Sequence, residues 1–246
     1  MLAWTAVGVA VRGAAHVRDG QPCQDAVSWA ASGPWLVAAV CDGAGSAPHA
    51  EIGATVGAQA FVDAVLSACR DRDDLDAASG TALARTAVEA ARAAVASALP
   101  RGGSLADAHA TLVAVAATPR GGVLIHIGDG TGAVRTAGSA VMSPPENGAF
   151  ANETYFFTEA GWADRLRVTA FSAPRTVLLL SDGAAAVALG PDGAPLPAFL
   201  DPVSAYLASV PEAEGREALA ATLAPARTGH LTDDDLGVFW AVPASS

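Results

Sequence analysis

Three apolar runs in this chain end in the same dipeptide, Asp-Gly, and that repetition constrains the fold more than any other feature. The runs are Trp35 to Cys41 before Asp42-Gly43, Val123 to Gly128 before Asp129-Gly130, and Val177 to Ser181 before Asp182-Gly183. A short apolar stretch bounded by turn residues is the pattern of a strand buried on both faces. A fourth acidic cluster, Asp233-Asp234-Asp235, directly precedes a last apolar run, Leu236 to Val242. Any one Asp-Gly is adequately explained as a turn, and Asp19-Gly20 and Asp192-Gly193 are read that way. The joint pattern says more, because strand ends on a rigid scaffold can aim several carboxylates at one place. Gathered anions need cations, and an all-oxygen set without His or Cys selects Mg²⁺ or Mn²⁺ over Zn²⁺.

Further β runs are read at Trp4 to Val11, Thr111 to Ala116, Val134 to Thr136, Thr154 to Thr158 and Arg167 to Phe171. Two helices are expected between the early and late strands. Ile52, Val56, Val62, Val65, Leu66 and Cys69 fall on one face of the first, and Leu83, Ala87, Ala91, Val95 and Leu99 on one face of the second. Asp71 to Gly80 reads as a solvated loop, and Pro202 to Leu223 as helical with a break near Pro211. Strands, two helices, strands, helices and a closing strand imply packed sheets covered by helices, not an alternating parallel fold. No linker divides the 246 residues, so one domain, 1–246, is expected.

Composition narrows the function. Hydrophobic residues make up 52% and charged residues 16%, enough for a sizeable core. The net charge of −11 disfavours nucleic acid and anionic membranes as partners. A phosphorylated substrate stays compatible, because bound divalent ions invert the local field. All fourteen basic residues are Arg, which with the abundant Ala points to a GC-rich bacterial source. Cys23, Cys41 and Cys69 form no metal-binding spacing and fit a reducing, cytoplasmic setting. No signal peptide or membrane span is read.

The ordered motifs resemble the metal-dependent Ser/Thr protein phosphatases of type 2C, in their bacterial branch. Six segments carry the resemblance. They are His16 to Asp25, Asp42-Gly43-Ala44-Gly45, Ala108 to Leu112, Ile127 to Gly130, Leu179 to Gly183 and Asp234 to Val238; Ala151 to Phe156 is also similar to that branch. The resemblance implies a four-layer α-β-β-α sandwich, an α+β fold with two central, mostly antiparallel sheets flanked by helices. It implies two Mg²⁺ or Mn²⁺ ions and room for a third. Asp42 would bridge two ions, Gly43 would lend its carbonyl, Asp182 and Asp234 would complete one shell, and Asp129 would hold the third ion. Asp25 would orient water from behind, and Arg18 would clamp phosphate. The implied reaction is hydrolysis of phosphoserine and phosphothreonine in proteins, with a Ser/Thr kinase as the counterpart. Two ions about 3.5–4 Å apart lower the pKa of a water between them and neutralise phosphoryl oxygens.

Two positions depart from the family pattern. Gln24 stands where an acidic residue is common, and Ala44 where the motif has His. The proton donor to the leaving group is thereby left open between metal-bound water and His49. The same departures keep a second reading in view: a catalytically weak domain of this fold that binds phosphoproteins. Arg18 lies seven residues before Asp25 where the family has five, which leaves an ordinary surface Arg as its alternative. The five His residues show no mutual metal-ligand spacing, and His126 is expected to be a satisfied core residue. No Gly-x-Ser-x-Gly elbow supports Ser46 as a nucleophile. No Asp two residues beyond Asp42, Asp129 or Asp182 supports phosphoaspartyl transfer.

Overall fold

The computed structural model describes residues 4–148 and 154–244. Its elements in chain order are β1 (Trp4–Val11), α1 (Ala14–Asp19), β2 (Asp25–Ser32), β3 (Trp35–Asp42), α2 (Ala50–Cys69), α3 (Ala77–Ala98), β4 (Leu112–Thr118), β5 (Gly121–Ile127), β6 (Thr131–Arg135), β7 (Ala140–Ser143), α4 (Trp162–Arg165), β8 (Arg167–Ser172), β9 (Thr176–Leu180), α5 (Asp182–Ala188), α6 (Pro197–Leu207), α7 (Glu212–Leu223), α8 (Pro225–Thr228) and β10 (Leu236–Pro243). They build two five-stranded sheets, ordered β1-β10-β9-β6-β7 and β2-β3-β4-β5-β8, with every pairing antiparallel.

The continuous apolar runs are explained by what covers each face. Along β3, Val37, Ala39 and Cys41 pack outward against α2 and α3, while Leu36, Ala38 and Val40 pack inward against Leu179, Phe239 and Ala241 of the other sheet. On β9 and β10 the alternation repeats. Leu178, Leu180, Val238 and Trp240 face the layer of α5, α6 and α7. Successive side chains on a strand point to opposite faces, so a strand between two apolar layers has no polar side to show. The result is an α+β sandwich of helices, sheet, sheet and helices. The apolar helix α2 is long enough by length and composition to cross a bilayer; here its buried face lies on the second sheet and on α3.

Several local expectations need correction. Thr154–Thr158 is not a strand: Thr154 makes one isolated bridge to Asn147, and turns follow. That segment is held instead by Arg92 of α3, whose guanidinium donates to the carbonyls of Phe157 and Glu159 at 2.7 Å each. The acidic stretch 71–80 is only partly a loop, because Asp76 and Ser79 form a reciprocal capping box that starts α3 at Ala77. The late helical stretch begins at Pro197, with Pro202 inside α6. His126 is buried but incompletely satisfied. Its Nδ1 meets Ser143 Oγ and the Arg167 guanidinium at 2.9 Å each, while Nε2 has no partner among the described residues. Burial, with Arg167 adding to it, pushes its pKa down to about 3. Residues 151–153 of the similarity segment lie outside the described residues.

Candidate functional site

None of the three strand-terminal Asp-Gly pairs is a hairpin turn. Asp42 ends β3, and the chain leaves through Gly43 toward α2. Asp129 lies between β5 and β6, where the chain crosses from one sheet to the other. Asp182 opens α5 directly after β9, and its carboxylate accepts from the N–H of Gly183. Ser181 ties this corner to β10: its N–H donates to the Gly237 carbonyl, and its Oγ accepts from the Gly237 N–H, both at 2.9 Å. Asp234 and Asp235 are thereby brought beside Asp182, at the same end of the sandwich.

These ends surround one cavity of about 490 Å³. Its walls include Asp42, Asp129, Asp182, Asp234, Asp235, Gly43, Gln24 and His16. Oxygens of Asp42, Asp129 and Asp182 all lie within 4.8 Å of one another, so one cation could contact all three. Asp25 faces Asp42 across the β2–β3 register and is buried behind it. Of the residues singled out in the sequence, Asp42, Gly43, Asp129, Asp182 and Asp234 line the cavity, and Asp25 backs it.

Arg18 does not come to this site. Its side chain is 65% exposed, pairs with Asp19 at 3.1 Å, and does not line the cavity. His49 is also outside the cavity; it precedes α2, with its backbone N–H donating to the Asp107 carbonyl. Cys41, beside Asp42, is a core residue whose thiol is pushed far up by burial.

The electrostatics follow from burial and like charge. Burial first, then the neighbouring anions Asp235, Asp182 and Asp234, pushes the Asp25 carboxyl up to about 8. Asp42 is held well above the usual carboxylate range, by burial and then by Asp25 and Asp182. Asp129 is raised by burial and by Asp182, against a hydrogen bond from the Thr154 hydroxyl to its Oδ2. Buried oxygens without a hydrogen-bond partner among the described residues, Asp25 Oδ2, Asp129 Oδ1 and Gln24 Oε1, belong to this same group. Unpartnered buried acceptors beside crowded carboxylates are costly alone and are what a hard divalent cation with its waters would satisfy.

Two residues of the site are not among those the sequence points to. Asp235 is 2% exposed and accepts three N–H groups: from Gly13 at 2.6 Å, Gln24 at 2.6 Å and His16 Nδ1 at 2.8 Å. His16 sits in the cavity wall at the end of that bond. The Asp triplet is the available signal, but the motif resemblance assigns a role to Asp234 alone.

Known structures share this architecture. The catalytic domain of the serine/threonine phosphatase PstP, solved with two manganese ions, is 19% identical, with a TM-score of 0.61 and full coverage of both chains. The Mycobacterium tuberculosis phosphatase PstP/Ppp is 18% identical, with a TM-score of 0.61 over 98% of this chain and 99% of that one. PppA, described as a regulatory component of the T6SS in Pseudomonas aeruginosa, is 17% identical, with a TM-score of 0.62 over 98% and 97%. At such identities these matches establish the fold alone. No curated protein matches the chain in sequence. The protein phosphatase 2C family model matches residues 12–224, from the end of β1 through α7, and over that span the chain belongs to the protein phosphatase 2C family.

Proposed function

We propose that this protein is a divalent-metal-dependent hydrolase of phosphoserine and phosphothreonine in proteins. The observation that carries the reading is the convergence of Asp42, Asp129 and Asp182, from three separate strand ends, on one cavity whose partly buried oxygens include some without a partner among the described residues. A module that only bound phosphoproteins would have no use for three carboxylates that repel both one another and the ligand.

Asp42, Asp182 and Asp234, with the Gly43 carbonyl, would hold two Mg²⁺ or Mn²⁺ ions, and Asp129 a third. Bound there, the ions would supply an activated water and neutralise phosphoryl charge. The chain's own work is positioning. The β2–β3 pairing sets Asp25 behind Asp42 to orient water, and the Ser181–Gly237 bonds fix Asp182 relative to Asp234. Phe156 and Thr154, on the segment anchored by Arg92, form part of the cavity wall. Fixed groups aimed at developing charge need no reorganisation during the reaction.

Turnover of a phosphothreonine peptide is expected only with added Mn²⁺ or Mg²⁺, and is expected to vanish on chelation. Full turnover by metal-free protein, or a strict need for zinc, would contradict the carboxylate-site reading. Metal binding without turnover of any phosphate ester would favour the phosphoprotein-binding alternative, which Ala44 and Gln24 support. Phosphoserine and phosphothreonine peptides are expected to outperform phosphotyrosine peptides of the same sequence, an expectation resting on family membership. Side-by-side kcat/KM values check this, and a phosphotyrosine preference would overturn it. A Ser/Thr kinase with the opposite action is the corresponding partner.

A further inference from the structure

We propose that His16 is the proton donor to the leaving serine or threonine oxygen, with Asp235 as the residue that positions it; this rests on the phosphatase reading above. The side chains lining the cavity are aspartates, small residues, Gln24, Ser46, Thr111, Thr154, Phe156 and His16. Among them, His16 alone can carry positive charge and donate a proton from a cationic form. Ala44 offers no proton at the motif position where the family's His would stand, and His49 is outside the cavity.

The geometry is that of an oriented imidazole. Asp235 is fixed by the backbone N–H groups of Gly13 and Gln24, so its remaining bond to His16 Nδ1 at 2.8 Å aims the ring. That bond selects the form of the ring protonated at Nδ1 and leaves Nε2 as the exchangeable nitrogen; a carboxylate behind a His commonly does this. His16 is partly exposed, 19% at its side chain, so Nε2 can recover a proton from solvent between turnovers.

Water supplies the incoming oxygen and gives one proton to solvent. The bond between phosphorus and the leaving oxygen breaks, and the bonding pair stays on that oxygen. The proton of the imidazolium Nε2–H moves to it, giving the neutral alcohol, inorganic phosphate and a neutral His16.

The test uses leaving groups that differ in their need for a proton. A serine or threonine alkoxide leaves poorly without one, while p-nitrophenolate leaves unaided. His16→Ala, with Mn²⁺ saturating, is expected to lose about 100-fold in kcat on a phosphothreonine peptide, the usual scale of general acid catalysis. On p-nitrophenyl phosphate it should lose only a few-fold. His16→Asn provides the second variant, because its side-chain N–H can keep the Asp235 bond while lacking an acidic proton at the Nε2 position. It should show the same split with an unchanged melting temperature. Mn²⁺ affinity by calorimetry should be unchanged in both variants. In metal-free wild type, ¹⁵N spectra of the neutral His16 ring should show the proton on Nδ1. Equal losses on both substrates, no loss on the peptide, weakened Mn²⁺ binding or a proton on Nε2 in the neutral ring would each overturn the assignment. Wild-type protein inactive on every phosphate ester would overturn the phosphatase reading itself, and this role with it.

Discussion

Replacing Asp42 by Asn is expected to lower metal-supported turnover by roughly 100-fold or more, since loss of groups that merely orient ligands already costs about 10–100-fold. The same change at Asp129 is expected to cost less. Asp42 belongs to the close carboxylate set and sits against both Asp25 and Asp182, which raise its pKa further after burial has done so. A charge removed there weakens everything the cluster holds. Asp129 belongs to the same set, but the Thr154 hydroxyl already engages one of its oxygens. Neither substitution should unfold the protein. Asn accepts hydrogen bonds as Asp does, and removing one of several crowded anions relieves repulsion in the metal-free state. Metal-free Asp42→Asn protein should therefore melt at or slightly above the wild-type temperature. Calorimetric Mn²⁺ affinity, turnover at saturating Mn²⁺ and melting with and without metal decide the matter. Wild-type turnover and affinity in Asp42→Asn would remove Asp42 from the proposed site. Equal losses in both variants would leave the site standing and overturn the ranking.

What can be read in the sequence is what depends on buried strands. The runs ending at Asp42, Asp129 and Asp182 are legible because both faces of each strand are covered, which produces uninterrupted apolar residues with an abrupt end. Strand β2 is not legible. It is the edge of its sheet, its middle residues are half-buried, and Ser28 and Trp29 interrupt any simple alternation. The short helix α1 spans only Ala14–Asp19, too little for a period to show. Its geometry also explains why Arg18 and His16 exchange prominence. Residues two apart on a helix point in different directions, so a turn that places His16 in the cavity wall sends Arg18 to solvent. The bond joining His16 to Asp235 spans 219 positions of sequence. Which of three consecutive aspartates is buried depends on where β10 begins, and residue types alone do not fix that.

Replacing Gly13 by Ala is expected to impair turnover far beyond its effect on stability. The backbone of Asp234 and Asp235 passes between two glycines. A Cβ on Gly13 would lie 2.2 Å from the Asp234 carbonyl carbon and oxygen, and one on Gly183 would lie 2.2 Å from the Asp235 carbonyl oxygen. These are backbone atoms, so no side-chain rotation relieves the contact, and the lead-in to β10 must move. Overpacking of this kind costs about 1–3 kcal/mol, which in a chain of this size lowers the melting temperature by roughly 5 °C. The displaced segment carries Asp234 toward or away from the proposed ions, and it carries Asp235, which accepts from Gly13 and holds His16. Gly20→Ala is the matched control. Gly20 has φ +69°, and a methyl group there would have no atom of the described residues within 4 Å, so Ala meets left-handed backbone strain, about 1–2 kcal/mol. The two variants should therefore melt at similarly lowered temperatures, while Gly13→Ala alone loses Mn²⁺ affinity and at least about 10-fold in turnover, the scale seen when ligand-orienting contacts are lost. Should Gly13→Ala retain wild-type turnover at a temperature where it is folded, the close passage of this segment would have no part in setting the site.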